Sequence, residues 1–142
     1  NSAFIITILL FVSLIVFRKE SIRRNADMNA VRNRKARRLA QKRLSKALIL
    51  MKSNDDGFYE EILKALWGYL SDKLGVNVSE LSRELINQKL QSRSIPENLL
   101  TDLWQVINDS EFARYGTGFT GNKQTIYNSA IKLISDLQEN IN

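Results

Sequence analysis

The 142-residue chain has no cysteine and no histidine, and Pro96 is its single proline. Lacking cysteine, it can build neither a disulfide framework nor a thiolate metal site. Lacking histidine as well, it has none of the usual zinc ligand sets, no Cys–His pair and no Ser–His–Asp triad. Carboxylates alone could still ligate a metal, but no spacing of Asp and Glu suggests a site, so no metal and no cofactor are expected. No stretch alternates apolar and polar residues with a period of two, which argues against a sheet. Between Ser21 and Lys52 there is neither proline nor glycine to interrupt a helix.

Charge is unevenly placed. Arg18 to Lys46 holds twelve Lys and Arg against Glu20 and Asp27, whereas Ala47 onward holds nine against thirteen Asp and Glu. The net charge of +6 is therefore the property of one segment. An anionic partner is expected for that segment and not for the C-terminal remainder of the chain.

Ahead of the basic segment, Ala3 to Phe17 reads A-F-I-I-T-I-L-L-F-V-S-L-I-V-F, with only Thr7 and Ser13 interrupting the apolar side chains. In a bilayer the backbone must bond to itself, so this run is helical despite its β-branched content. At about 1.5 Å per residue it falls short of a hydrocarbon core of roughly 30 Å, and the span is expected to start upstream of Asn1. A secretory signal would carry its cations before the apolar stretch. Here Arg18, Lys19, Arg23 and Arg24 come after it. Residues 1–18 thus read as a transmembrane anchor truncated at its N-terminal end. The positive-inside rule places those four cations, and the C-terminal region beyond them, on the cytoplasmic side of the membrane.

Residues 19–46 read as a basic juxtamembrane helix. Arg24 to Asn29 is polar on all sides, and a fraying or hinge point is expected there. Ala36, Ala40, Leu44, Ala47, Leu48 and Met51 recur at three- and four-residue spacing on one helical face. Leu48-Ile49-Leu50-Met51 cannot all share that face, so the C-terminal end of the helix is expected to enter a core. Near the membrane, topology and contact with anionic lipid account for Arg18, Lys19, Arg23 and Arg24, each cation gaining about 1 kcal/mol from such lipid. Farther along, Arg32, Arg34, Lys35, Arg37, Arg38, Lys42 and Arg43 fit a docking face for a protein or a membrane, or simple solvation. Nucleic acid is disfavoured, because no aromatic residue interleaves the charges to stack on bases.

Residues 47–142 read as a cytoplasmic domain of four helices. Asn54-Asp55-Asp56-Gly57 breaks the stalk and caps the next helix, where Phe58, Ile62, Leu66, Leu70 and Leu74 form a stripe flanked by Tyr59, Leu63 and Trp67. Glu60 and Glu61 fall where the helix dipole favours them, and Gly75 stands at the expected left-handed stop. Ser79 or Ser82 caps a helix carrying Leu81, Leu85, Ile86 and Leu90. Pro96 starts a third, running to about Asp109, with Leu99, Leu100, Leu103, Trp104 and Ile107 inward. Glu111 to Tyr115 comes next as a separate segment. The last helix spans about Asn122 to Gln138, with Ile126, Ala130, Ile131, Leu133, Ile134 and Leu137 inward. The fold class is therefore all-α: one N-terminal transmembrane helix, continuing into a long basic helix that packs on a small bundle.

No motif points to catalysis. Gly116 to Gly121 matches G-x-G-x-x-G, but a dinucleotide fingerprint needs a preceding strand, and this loop comes after a helix. Asn122 and Gln124 spoil a P-loop. Asp55/Asp56 and Glu60/Glu61 are explained by capping and dipole, and sequence neighbours on a helix point apart. The helix from Pro96 has no Lys or Arg, so it would repel DNA phosphate. No catalytic residue, small-molecule substrate or nucleic acid is assigned.

An apolar anchor, then A-R-R-L-A-Q-K-R-L-S-K-A, F-Y-E-E-I-L-K-A-L-W-G-Y-L-S-D-K-L, S-I-P-E-N-L-L and E-F-A-R-Y, resembles the C-terminal end of the BatD family of Bacteroides aerotolerance (oxygen tolerance) proteins. The resemblance spans essentially the whole chain in order, with the glycine-rich loop after Tyr115 as its departure. It implies an extracytoplasmic region of β-sandwich-like modules upstream and a Gram-negative inner membrane, and it carries over no catalytic residue. As partners it implies membrane-anchored von Willebrand factor A-type proteins and a MoxR-type AAA+ ATPase. The function implied is a non-enzymatic adaptor. The alternative is an electrostatic module holding the basic stalk on anionic lipid. Glu111, Phe112, Arg114 and Tyr115 are candidates for a partner contact or for a lock between two helices. Arg34, Lys35, Arg37, Arg38, Lys42 and Arg43 are candidates for a basic docking face.

Overall fold

The computed structural model describes residues 2–116, 119 and 121–141, apart from the side chains of Ser2, Ala3, Asn25, Ala26, Asp27 and Asn29. Helix is the only regular element among the described residues: α1 (Ser2–Lys52), α2 (Gly57–Leu74), a 3-10 turn (Val78–Glu80), α3 (Arg83–Ser92), α4 (Glu97–Tyr115) and α5 (Lys123–Asn140). The chain divides into two compact units, Asn1–Arg34 and Lys35–Asn142.

The first unit is the early part of α1. Its large apolar side chains, from Phe4 to Phe17, are all at least half exposed. Among the described residues no helix is long and apolar enough to cross a membrane. The run ending at Phe17 has the shortfall in length already evident from its sequence. The expected hinge at Arg24 to Asn29 is helical in its backbone, and the side chains of Asn25, Ala26, Asp27 and Asn29 lie outside the described residues. Neither proline nor glycine is present there to break the ladder.

The second unit is organised around α2. Phe58, Tyr59, Ile62, Leu63, Ala65, Leu66, Tyr69, Leu70 and Leu74 are all buried, so this helix is covered around most of its circumference. Its ends are set by local chemistry. Asp55 Oδ1 accepts the Gly57 N–H at 2.8 Å, closing an Asx turn into the helix. Gly75, at φ 67°, stops it in the left-handed conformation expected. The α4 and α5 helices pack on α2 and on each other. Tyr69 ties α2 to α5 by donating its hydroxyl to Gln138 Oε1 at 2.7 Å. Ser82 caps α3 by accepting the Leu85 N–H at 3.1 Å. Asn122 caps α5 by accepting the Gln124 N–H at 2.8 Å. Trp104 Nε1 donates to Asn87 Oδ1 at 2.8 Å and joins α4 to α3.

Of three expectations, the first stands and two need correcting. Within the second unit, α1 buries Ala36, Ala40, Leu44 and Ala47, whereas Ile49 is 67% exposed and Leu48, Leu50 and Met51 are only partly covered. Leu50 and Met51 still pack against the core, so the C-terminal end of α1 enters it as expected, with Ile49 turned outward. Second, α4 does not stop near Asp109: it runs on through Glu111-Phe112-Ala113-Arg114-Tyr115, which forms its last turns and not a separate segment. No helix breaker intervenes between Asp109 and Gly116. Third, Ile131 is 41% exposed. The stripe through Ile126, Ala130, Leu133, Ile134 and Leu137 already fills the inward face of α5.

Candidate functional site

The end of α4 meets α2 and the later part of α1 in a groove of about 320 Å³. Its floor is Leu63, Trp67 and Gly68, with Val78 at one side; its rim carries Arg43, Glu60, Lys64, Glu111, Arg114 and Tyr115. Glycine at position 68 leaves the floor open. A Cβ there would meet only the Arg43 guanidinium, at 3.7 Å from Nε.

Ion pairs hold the walls in register. Glu61 is the acidic group set deepest: its side chain is 8% exposed and takes Lys46 of α1 at 3.2 Å and Lys64 of its own helix at 3.7 Å. Glu60 takes Lys64 at 3.3 Å and Arg114 of α4 at 3.7 Å. Capping and dipole thus do not exhaust these two carboxylates, since each also joins α2 to another helix. The Arg114 guanidinium lies 4.7 Å over the Tyr115 ring. A planar cation stacked on a ring and tied to a carboxylate is well placed at a half-wet edge.

Beside the groove, Phe119 stands edge-on to Phe112 (ring centroids 6.1 Å apart) and to Tyr59 (5.9 Å). Lys123 lies 5.6 Å from the Tyr59 ring, donates to Asn54 Oδ1 at 2.8 Å and pairs with Asp56 at 3.2 Å. The start of α5 is thereby tied to the turn before α2. The glycine-rich stretch Gly116 to Gly121 lies partly outside the described residues, which include neither Thr117, Gly118 nor Thr120.

The sequence candidates therefore part company. Arg114 links α4 to α2 and also lines the groove; Glu111 lines it as well. Phe112 packs on Phe119 yet stays 55% exposed, and Tyr115 is 73% exposed. In the second unit Lys35, Arg38 and Lys42 share one exposed helical face. Arg37 and Arg43 flank the buried alanines on either side. None of these five forms an ion pair among the described residues, whereas Lys46 does. Arg34 belongs to the first unit, where its Nε donates to Ala30 O at 3.4 Å. Arg18, Lys19, Arg23 and Arg24 are exposed there, and Arg24 pairs with Glu20 at 3.8 Å.

Sequence reasoning missed Lys64, Lys123 and Lys73. The four-residue spacing of Glu60 and Lys64 was a visible sign of the first. Lys73 interrupts the apolar stripe between Leu70 and Leu74, and that position was the signal for it. It is fully buried, and its Nζ has no hydrogen-bond partner among the described residues. Burial lowers its pKa, and the charge of Arg93 pushes in the same direction. Burial also raises the Tyr69 phenol well above its ordinary value. Among the described residues no group of three or more acidic side chains could hold a metal ion.

No protein-family model, curated protein or solved structure matches the chain.

Proposed function

We propose that this chain is the membrane-proximal part of a non-enzymatic adaptor of the BatD kind. The apolar start of α1 sits in the bilayer of a Gram-negative inner membrane, and the helical unit docks protein partners on the cytoplasmic side. Those partners are the von Willebrand factor A-type and MoxR-type proteins that the family resemblance implies. The observation that carries the reading is solvation. Phe4 to Phe17 places about four helical turns of phenylalanine, isoleucine, leucine and valine in the open, directly before Arg18 and Lys19. Burying one such side chain is worth roughly 1.5–3 kcal/mol, so a helix of this kind requires an apolar medium around it. The cationic flank then orients it. A non-catalytic role is supported by a groove whose described residues include no nucleophile–base arrangement.

Because the chain has no cysteine, single cysteines at Ser53 and Asn140 can report topology without background. In spheroplasts, a membrane-impermeant maleimide should label both only after the membrane is permeabilised. Labelling before permeabilisation would overturn the proposed topology and its cytoplasmic partners together.

A further inference from the structure

We propose that the groove between α1, α2 and α4 binds an acidic segment of a partner protein, with one aromatic or large aliphatic side chain of that segment seated on Trp67. The proposal rests on the adaptor reading and names the chemistry of what the adaptor holds. Three features of the surface carry it.

The first is charge without a counterpart. Arg43 stands at the groove's edge, and Lys35, Arg38 and Lys42 lie on the neighbouring exposed face of the same helix. None of the four has a carboxylate partner among the described residues, although nearby Lys46 and Lys64 are both paired. No Asp or Glu occurs from Ala30 to Lys46 to neutralise them locally. Cations without local carboxylates gain most from carboxylates delivered by another chain, and Arg43 can take one in a bidentate fork.

The second is shape. The groove is concave, about 320 Å³, and floored by Leu63, Trp67 and the bare backbone at Gly68. That volume accepts one large side chain with the backbone on either side of it. Exposed Tyr115 forms a second aromatic wall, 73% open. Aromatic and arginine groups around a small apolar pocket are the usual composition of an interface centre.

The third separates a peptide from a lipid surface. Glu60 and Glu111 stand on the same rim as Arg43 and Arg114. Carboxylates at the contact repel an anionic bilayer, and a recess cannot lie flat on one. An extended peptide satisfies both signs, placing its carboxylates by Arg43 and its backbone N–H groups by Glu111.

The test displays random peptides of about a dozen residues to the full chain held in neutral-lipid nanodiscs. Selected peptides should be enriched in Asp and Glu around a Phe, Trp, Tyr or Leu. A synthetic copy of the best should lose at least tenfold in affinity when that apolar residue becomes Ala. Arg43→Glu and Gly68→Leu should each weaken binding at least tenfold without shifting thermal unfolding, while Arg83→Glu, on the far side of Trp104, should not. If Gly68→Leu lowers stability, Tyr115→Ala replaces it, since that side chain is largely exposed. Peptides without acidic enrichment, or equal binding to Arg43→Glu, would overturn the proposal. So would anionic vesicles competing fully with the peptide. The topology measurement is independent: cytoplasmic labelling with a bare groove removes this inference alone, and the reverse result removes the membrane reading alone.

Discussion

Two stretches of one helix make opposite use of apolar residues. In the first unit, α1 exposes Phe4, Leu9, Phe11 and Phe17; in the second it buries Ala36, Ala40 and Ala47 and exposes Ile49. Of the four described side chains that α1 buries, three are alanines and the fourth is Leu44, whereas Phe4, Leu9, Phe11, Phe17 and Ile49, which it exposes, are large. Burial in this protein therefore does not follow hydropathy along the chain. It follows whether a second helix is present to pack against. Where the second unit's core is available, the alanine side chains of α1 are covered by it. Where no neighbour exists, phenylalanine and leucine present a surface that only lipid or another apolar partner can cover.

The contrast can be broken most forcefully by removing equal volumes from both units. Leu66, 1% exposed at the centre of α2, should cost the helical unit about 2–5 kcal/mol when changed to Ala, measured by denaturant unfolding followed by circular dichroism. Leu9→Ala, at 63% exposed, should leave that transition where it was. Comparable losses from both would mean that the first unit is packed after all. A smaller effect comes from adding volume. Ala40→Leu should destabilise by about 1–3 kcal/mol through overpacking, and exposed Ala30→Leu by less than about 0.5 kcal/mol.

The smallest effect concerns a cation in each unit. Lys73→Met should stabilise the helical unit by on the order of 1 kcal/mol, because it removes an unpartnered ammonium from the interior. Burial, assisted by Arg93, lowers the folded pKa of Lys73. Between that lowered value and the ordinary lysine value the unfolded chain binds more protons than the folded one. Stability of the native protein should accordingly rise with pH in the part of that window below the ordinary tyrosine value of about 10. Above it the raised Tyr69 phenol acts in the opposite direction. The rise should vanish in Lys73→Met and persist in Lys19→Met, where the cation is exposed. A native protein that loses stability across the same window would contradict the assignment.

Much of the second unit was readable one residue at a time. Gly75 as a left-handed stop, Ser82 as one of two candidate caps, the start of the last helix near Asn122, and the stripe from Phe58 to Leu74 are local choices with local physics. The candidate site was less readable. Arg114 could be singled out, but not that its carboxylate would be Glu60 on another helix. Trp67 lies on an apolar stripe and reads as core. It does pack on the core and on Trp104 of α4, at 6.3 Å between ring centroids, yet it also lines an open groove. The end of α4 was misplaced too. A run such as Asn108-Asp109-Ser110-Glu111 has weak helix propensity and reads as a break. Packing of Ile107 and Ser110 against the core carries the helix through it.

By itself, then, the order of residues determined the helical class, the turns that separate the helices, the charge asymmetry and the solvation demand of the first seventeen positions. All of these depend on side chains within about one helical turn of each other. Only the tertiary structure decided which carboxylate meets which cation, and where a groove is left. Those are contacts between residues far apart in the chain. Their energies depend on approach distance and shared exclusion of water, which no local pattern encodes.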